Sequence, residues 1–419
     1  MAARTSPFLR TRAGMPLTDL DAAHAHVADL ALTDGPISRV GLEVELHLVD
    51  LEQPARRPRW REVLRLLEAL PPMPRGSRIT AEPGGQLELS TPPAPSAGEA
   101  IANSQHDVTA LRAALGEHGL GGAAMGADPA RPVDVVNCTG RYGAMQEHFT
   151  AVGCAGSGRA MMASTAALQI NLDAGPAAGW PERLAHLHRI GPVLLAMSAS
   201  SPMLARYASG WRSMRQQVWA GIDQGRIAPL AAGDPAQAWA DHALAAPVML
   251  VRDDSEAEPV PSRASFASWI TGDAKLIRRP TLDDLDYHLT TLFPPVRPRG
   301  WIELRYLDAV PERWWPALAA LTIALADDPA AAAVADEACA PVADAWERAA
   351  RDGLGDKSLH RAAVACVATA ADRVPVALRD DVAAYAELVT RRRSPGDELR
   401  ERIEQDGPLA VLEEEANVC

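Results

Sequence analysis

The 419-residue chain has little cysteine and no surplus of basic charge, and each shortage removes a class of protein. Its five cysteines, Cys138, Cys154, Cys339, Cys366 and Cys419, are too few and too scattered for a disulfide framework or a CxxC metal knuckle, so no chemistry is assigned to them. Lys and Arg number 41 against 54 acids, and the net charge of −13 argues against nucleic acid or an anionic membrane as a partner. No GxxxxGK[ST] phosphate loop occurs. The glycines of "GCAGSGRAMM", from Gly153, lack the strand-to-helix setting of a dinucleotide fingerprint, and this stretch reads as a flexible loop. The start, "MAARTSPFLRTRAGMPLTDLDAAH", has no signal-peptide apolar core, and the longest apolar run, near "PALAALTIALA", ends at Asp327 and Asp328, short of a membrane span. A cytoplasmic location without membrane contact is the expectation.

What is present is enough apolar residue, 47%, for a substantial core, and four stretches that alternate with period two. In "VGLEVELHLVD", residues 40–50, Leu42, Val44, Leu46 and Leu48 fall on one strand face and Glu43, Glu45 and His47 on the other. After the Gly84-Gly85 turn, Gln86, Glu88 and Ser90 alternate with Leu87 and Leu89. "AALQINLDAG" sets Gln169, Asn171 and Asp173 opposite Leu168, Ile170 and Leu172. "GWIELRYLD" sets Trp301, Glu303 and Arg305 opposite Ile302, Leu304 and Tyr306. Helices are expected over 61–70, 97–118 and the text around "PERLAHLHRIGPVLLAMSAS" and "GWRSMRQQVWAGID"; the glycine-rich 119–128 reads as a loop. From Pro311 onward the chain is Ala-rich and helical. The expected architecture is therefore α+β, a sheet-bearing core over 1–310 with a helical C-terminal region over 311–419 packed on it.

Any one of these strands is ordinary in an antiparallel sheet with a wet face. Four together, bearing acids and amides instead of mixed Lys, Thr and Glu, point to a shared hollow. Acids two residues apart on a strand stand roughly 6.5–7 Å apart, and buried acids repel and take up protons unless cations join them. All-oxygen ligands suit Mg2+ or Mn2+, not zinc, and Mg2+ completes its shell with substrate phosphates, which points to ATP. Arg305 is placed to hold a phosphate. Arg212 and Arg215 form either a clamp for a substrate carboxylate or a solvated helix face. His47 and His148 read as packing or hydrogen-bonding groups.

The segments "GLEVE", "EPGGQLELSTPP", "GRYGAM", "TAALQINLD", "SPM" with "WRSMRQQVW", "LDYHLTTLFPP" and "WIELRYLD" together resemble the plant and actinobacterial type of glutamate-cysteine ligase, in the family's order over roughly residues 38–310. The wording around "MMASTAALQINLDAG" is most similar to the actinobacterial enzymes of ergothioneine biosynthesis. The resemblance implies a glutamine-synthetase-like curved antiparallel β-sheet funnel surrounded by helices. It implies that ATP phosphorylates the γ-carboxylate of L-glutamate and that the amino group of L-cysteine attacks the acyl phosphate. It assigns the metal to Glu43, Glu45, Glu88, Glu303, Gln169 and Glu82, phosphate contact to Arg305, and substrate contacts to Arg215, Trp219, Arg141 and Tyr142. Asn171, on the polar face of the third strand, is a further substrate-binding candidate. Glu45 and Glu303 join Arg305 as the catalytic candidates. The plant regulatory cysteines have no counterparts here. The partners expected are small molecules, with the chain a monomer or homodimer. Lids are expected at 119–128 and 153–160, to shield the acyl phosphate from water. Rival readings are a sister ligase with another amine, a two-carboxylate glycosidase and a non-catalytic nucleotide-binding relative.

Overall fold

In the computed structural model, residues 14–253 and 256–418 are described; most of the N-terminal stretch quoted above, residues 1–13, and Cys419 lie outside them. The described residues form nine strands: β1 (Val40–Asp50), β2 (Arg78–Ala81), β3 (Leu87–Ser90), β4 (Leu120–Ala123), β5 (Ala167–Leu172), β6 (Leu250–Asp253), β7 (Glu256–Pro259), β8 (Val296–Pro298) and β9 (Ile302–Asp308). Seven of them form one antiparallel sheet in the order β2-β3-β1-β5-β9-β8, with β4 paired to the second half of β1; β6 and β7 make a separate hairpin. The eleven residues of β1 let it serve β3 and β5 with its first half and β4 with its second.

Period two divides this sheet. Leu42, Val44 and Leu46 point with Leu87, Leu89, Ile170, Ile302 and Leu304 into the main apolar core, all under 4% exposed, each burial being worth about 1.5–3 kcal/mol. Helices Ala97–Glu117, Trp180–Ser198 and Trp315–Asp327 cover this apolar face, the first begun by Ser96, which accepts the Glu99 N–H. The same core runs without a break into the helices after 311. Opposite it, helices Gly140–Ala151, Ala155–Ser164 and Met214–Ala220 build a smaller apolar cluster with Tyr142, Trp219 and Phe293 at its border. The polar face of the sheet looks into the space between.

Two expectations of mobile glycine loops are corrected. Within 119–128, Leu120–Ala123 is strand β4, and residues 121–128 are buried. A Cβ on Gly121 would stand 2.3 Å from the Ala416 carbonyl oxygen, so this glycine permits close packing of the C-terminal helix. Residues 155–164 form a helix, and a Cβ on Gly158 would meet the Phe149 ring at 2.4 Å. Composition alone does not separate a hinge glycine from one that lets two elements touch. Met161 and Met162, near the end of that helix, line the cavity described below. His47 and His148 are buried and bonded to the carbonyls of Met125 and Val260, as expected of packing groups. Among the described residues no single helix is long and apolar enough to cross a membrane.

Candidate active site

Sheet register arranges the polar residues in rows. Arg78, Ser90, Glu43 and Gln169 stand side by side, and in the next row so do Thr80, Glu88 and Glu45. Glu45 thus faces Glu88 directly, a like-charge pair that destabilises a sheet unless positive charge lies near. On the other flank β9 sets Glu303 between Asn171 of β5 and Arg297 of β8. Glu43, Glu45, Glu82, Glu88, Gln169, Glu303, Arg305, Arg215, Trp219, Arg141 and Tyr142 all line one cavity of about 710 Å3. Of the candidate residues, Asn171 alone is not in its wall. It stands behind Glu43, donating to Oε1 at 3.1 Å and accepting from the Trp301 indole at 2.8 Å, so its position supports an acid.

At one end the acids are braced only by neutral donors. Glu45 accepts the Ala167 N–H at 2.8 Å and the Gln169 amide at 3.0 Å, while Glu88 accepts from the Thr80 and Ser90 hydroxyls at 3.2 and 3.0 Å. Burial, then repulsion from Glu88 and Glu82, pushes Glu45 up to about 8. Burial and neighbouring acids likewise raise Glu43 and Glu82, each to about 7. Burial outweighs the opposing pull of Arg305 on Glu43 and Glu82 and of Arg215 on Glu45, so these carboxyls hold protons near neutrality.

Glu303, which the resemblance assigns to the metal, is paired with arginines in the structure. Arg297 grips both its oxygens, Nη2 at 3.0 Å, while Arg305 and Arg299 approach at 3.2 and 3.6 Å. Burial would raise Glu303, but Arg305 and Arg297 outweigh it and hold the carboxyl at about 2. Arg305 also donates to Gln169 Oε1 at 2.6 Å, so the Gln169 amide links Glu45 to Arg305 and its oxygen is already engaged. Arg305 makes these contacts through Nη1, and its Nε and Nη2 have no hydrogen bond among the described residues.

Arg215 follows Ser213, the N-cap of Met214–Ala220, and is 3% exposed. It donates to the Arg305 carbonyl at 2.8 Å, lies 5.7 Å from the Trp219 ring centre and is 3.8 Å from Asp308, itself tied by Ser200, Ser201 and Ser213. Arg212 points elsewhere, to Asp397 at 2.6 Å, so only one member of that pair reaches the cavity. Arg141 bonds the hydroxyl and carbonyl of Thr290 at the rim, and burial followed by Glu82 pushes Tyr142 up to about 12. Sequence reasoning missed Arg78, Arg297 and Arg299 in the wall. The Pro298-Arg299-Gly300 turn was the available signal: it folds β8 against β9 and brings Arg297 to Glu303.

Among the described residues no three His, Cys, Asp or Glu side chains stand close enough to hold a metal together. The donor set nevertheless suits a hard cation in another way. Mg2+ takes one or two carboxylates and leaves other positions to water and phosphate, and the directly opposed Glu45 and Glu88 offer such a pair.

The glutamate-cysteine ligase family 2 profile matches residues 39–415. The chain is 49% identical over 401 residues to glutamate–cysteine ligase EgtA of Mycolicibacterium smegmatis, covering 95% of each chain. It is 47% identical over 402 residues to the EgtA of Mycobacterium tuberculosis strain H37Rv, covering 94% of this chain and 93% of that one. Among solved structures, the glutamate–cysteine ligase of Francisella tularensis in complex with AMP superposes with a TM-score of 0.54 at 14% identity, over 92% of this chain and 88% of that one, which speaks to the fold. The rows of acids, the arginine cluster and a match spanning nearly the whole chain agree: this protein belongs to glutamate-cysteine ligase family 2.

Proposed function

We propose that the cavity joins the γ-carboxylate of L-glutamate to the amino group of L-cysteine at the expense of ATP, through a γ-glutamyl phosphate, giving γ-glutamylcysteine for ergothioneine production. The observation that carries the reading is the pairing, in one hollow, of acids hydrogen-bonded only to neutral donors, Glu43, Glu45 and Glu88, with Arg215 and Arg305. Carboxylate oxygen is a poor leaving group; phosphorylation turns it into phosphate. Glu43, Glu45, Glu82 and Glu88 are the residues that would hold Mg2+ or Mn2+, with Glu303 joining them only by giving up an oxygen that Arg297 now holds; the ion when bound supplies charge neutralisation at the nucleotide's phosphates. Arg305 takes the oxygens of the transferring phosphoryl group, so catalysis rests on positioning and electrostatics. Arg215 and Arg141 take carboxylate charge on glutamate, while Trp219, Tyr142 and the methionine wall exclude water. The amine nitrogen then bonds to the γ-carbon, the carbon–oxygen bond to phosphate breaks with its electron pair, and the nitrogen loses a proton. A funnel-shaped sheet with the nucleotide at one opening is the arrangement this reading implies.

The test is mass-spectrometric product identification after incubation with ATP, Mg2+, glutamate and a mixture of amino acids. γ-Glutamylcysteine and ADP in equal amounts are expected. A different γ-glutamyl amide would identify a sister ligase, and the absence of ADP would remove the ligase reading.

A further inference from the structure

Asp308 follows Arg305 on β9, is fully buried and does not line the cavity. Three donors converge on its carboxylate. Oδ2 accepts the Ser200 N–H at 3.0 Å and the Ser201 hydroxyl at 2.7 Å, and Oδ1 accepts the Ser213 hydroxyl at 2.9 Å. A group that only accepts serves all of them at once. With its proton given to Asp308, each hydroxyl turns a lone pair to the start of the helix Met214–Ala220: Ser201 accepts the Arg215 N–H and Ser213 the Gln216 N–H, both at 3.1 Å. Arg215 Nη1 lies 3.8 Å from Oδ1 of the same carboxylate, and Nη2 donates to the Arg305 carbonyl at 2.8 Å. The Gln216 amide donates to the Tyr306 carbonyl at 2.9 Å, so the helix is registered on β9 at three successive points. The carboxyl has no slack, since a Cβ on Gly126 would stand 2.7 Å from its Cγ.

We propose that Asp308 is a positioning residue: it holds Arg215 at a fixed reach from Arg305 and so sets the affinity for glutamate. The inference rests on the ligase reading above, in which Arg215 takes carboxylate charge and Arg305 the transferring phosphoryl group. Those two cations act on one short substrate, so their spacing matters as much as their charge. Arg215 comes from a helix and Arg305 from a strand, and the Asp308 carboxylate with its serines is what ties the one to the other. A free arginine side chain must be ordered when its ligand arrives; one already fixed by a buried counter-charge binds without that loss. Loosening Arg215 therefore weakens glutamate binding and leaves nucleotide binding alone.

Steady-state ADP release with cysteine saturating tests this. Asp308→Asn keeps the shape and, with its oxygen toward Ser200 and Ser201, keeps those two bonds, but it turns an N–H toward Ser213 and Arg215. We expect KM for glutamate to rise about tenfold, with KM for ATP and kcat within about twofold of wild type. Added to Arg215→Lys, which itself raises KM for glutamate, Asp308→Asn should change it by less than about twofold, because the group it positions is already gone. Ser201→Ala removes only the hydroxyl between Asp308 and the Arg215 N–H; it should give the same split at about threefold, and it carries the test where Asp308→Asn does not fold. An unchanged KM for glutamate in a folded Asp308→Asn or Ser201→Ala protein overturns the proposal. A matching rise in KM for ATP is the mark of a loosened fold and overturns it too, as does an undiminished effect of Asp308→Asn in the Arg215→Lys background. An unchanged KM in Arg215→Lys takes glutamate from Arg215 and has the same result. A wild-type protein that releases no ADP with glutamate removes the ligase reading itself, and this one with it.

Discussion

Glu45 and Glu303 occupy the same cavity, on the same face of the same sheet, yet one holds its proton and the other is ionised, for reasons that lie in their neighbours. Glu45 meets an amide, a backbone N–H and another acid, and titrates near 8; Glu303 meets three guanidinium groups and titrates near 2. Burial penalises charge at both, so burial alone does not decide ionisation. The arginine end is neutralised from within the chain, whereas Glu43, Glu45, Glu82 and Glu88 form no ion pair among the described residues.

The largest expected effect breaks the acid end. Glu45→Gln should lower ligation about 10²–10³-fold, the scale of losing one electrostatic stabiliser, with a thermal midpoint equal to or above wild type because the repulsion with Glu88 is gone. Steady-state ADP release beside a thermal melt checks both halves; wild-type turnover removes Glu45 from the site. At the other end the balance reverses. Arg297→Leu strips a buried partner from Glu303 and should cost about 3–5 kcal/mol of stability by urea denaturation. A loss well below that would mean Arg305 and Arg299 suffice to hold Glu303. Arg305→Lys keeps charge but loses the planar fork, so kcat should fall about tenfold or more with folding intact; an unchanged kcat would take the phosphate contact from Arg305.

The smallest effect is a pH dependence. Glu43, Glu45 and Glu82 bind protons more tightly in the folded chain than in the unfolded one, so their contribution to stability is complete below about 4.5 and is lost as pH rises through about 7 to 8. Melting in chelator should therefore fall between pH 5 and 8.5, and Mg2+ should raise the midpoint more at pH 8.5 than at pH 5. Equal stabilisation at both would show that these carboxyls do not meet the ion.

The four alternating strands were legible because period two survives in the sequence: the leucines and valines of β1 mark the core, and the acids between them mark the cavity. The helical region after 311 was legible for the same kind of reason. What escaped depends on contacts between distant segments. Arg297 sits in a three-residue strand among prolines, too short for any period to show. The glycines of 121 and 158 looked like hinges because composition records the missing side chain and not the neighbour that fills its place.

The most direct test of the account is Mn2+ binding, followed by electron paramagnetic resonance at pH 8 in the presence of a non-hydrolysable ATP analogue. Wild-type protein should take up Mn2+ saturably, and the Glu45→Gln, Glu88→Gln double variant should lose that uptake while keeping its fold. Identical titrations for the two proteins would mean that the acid end does not hold the ion.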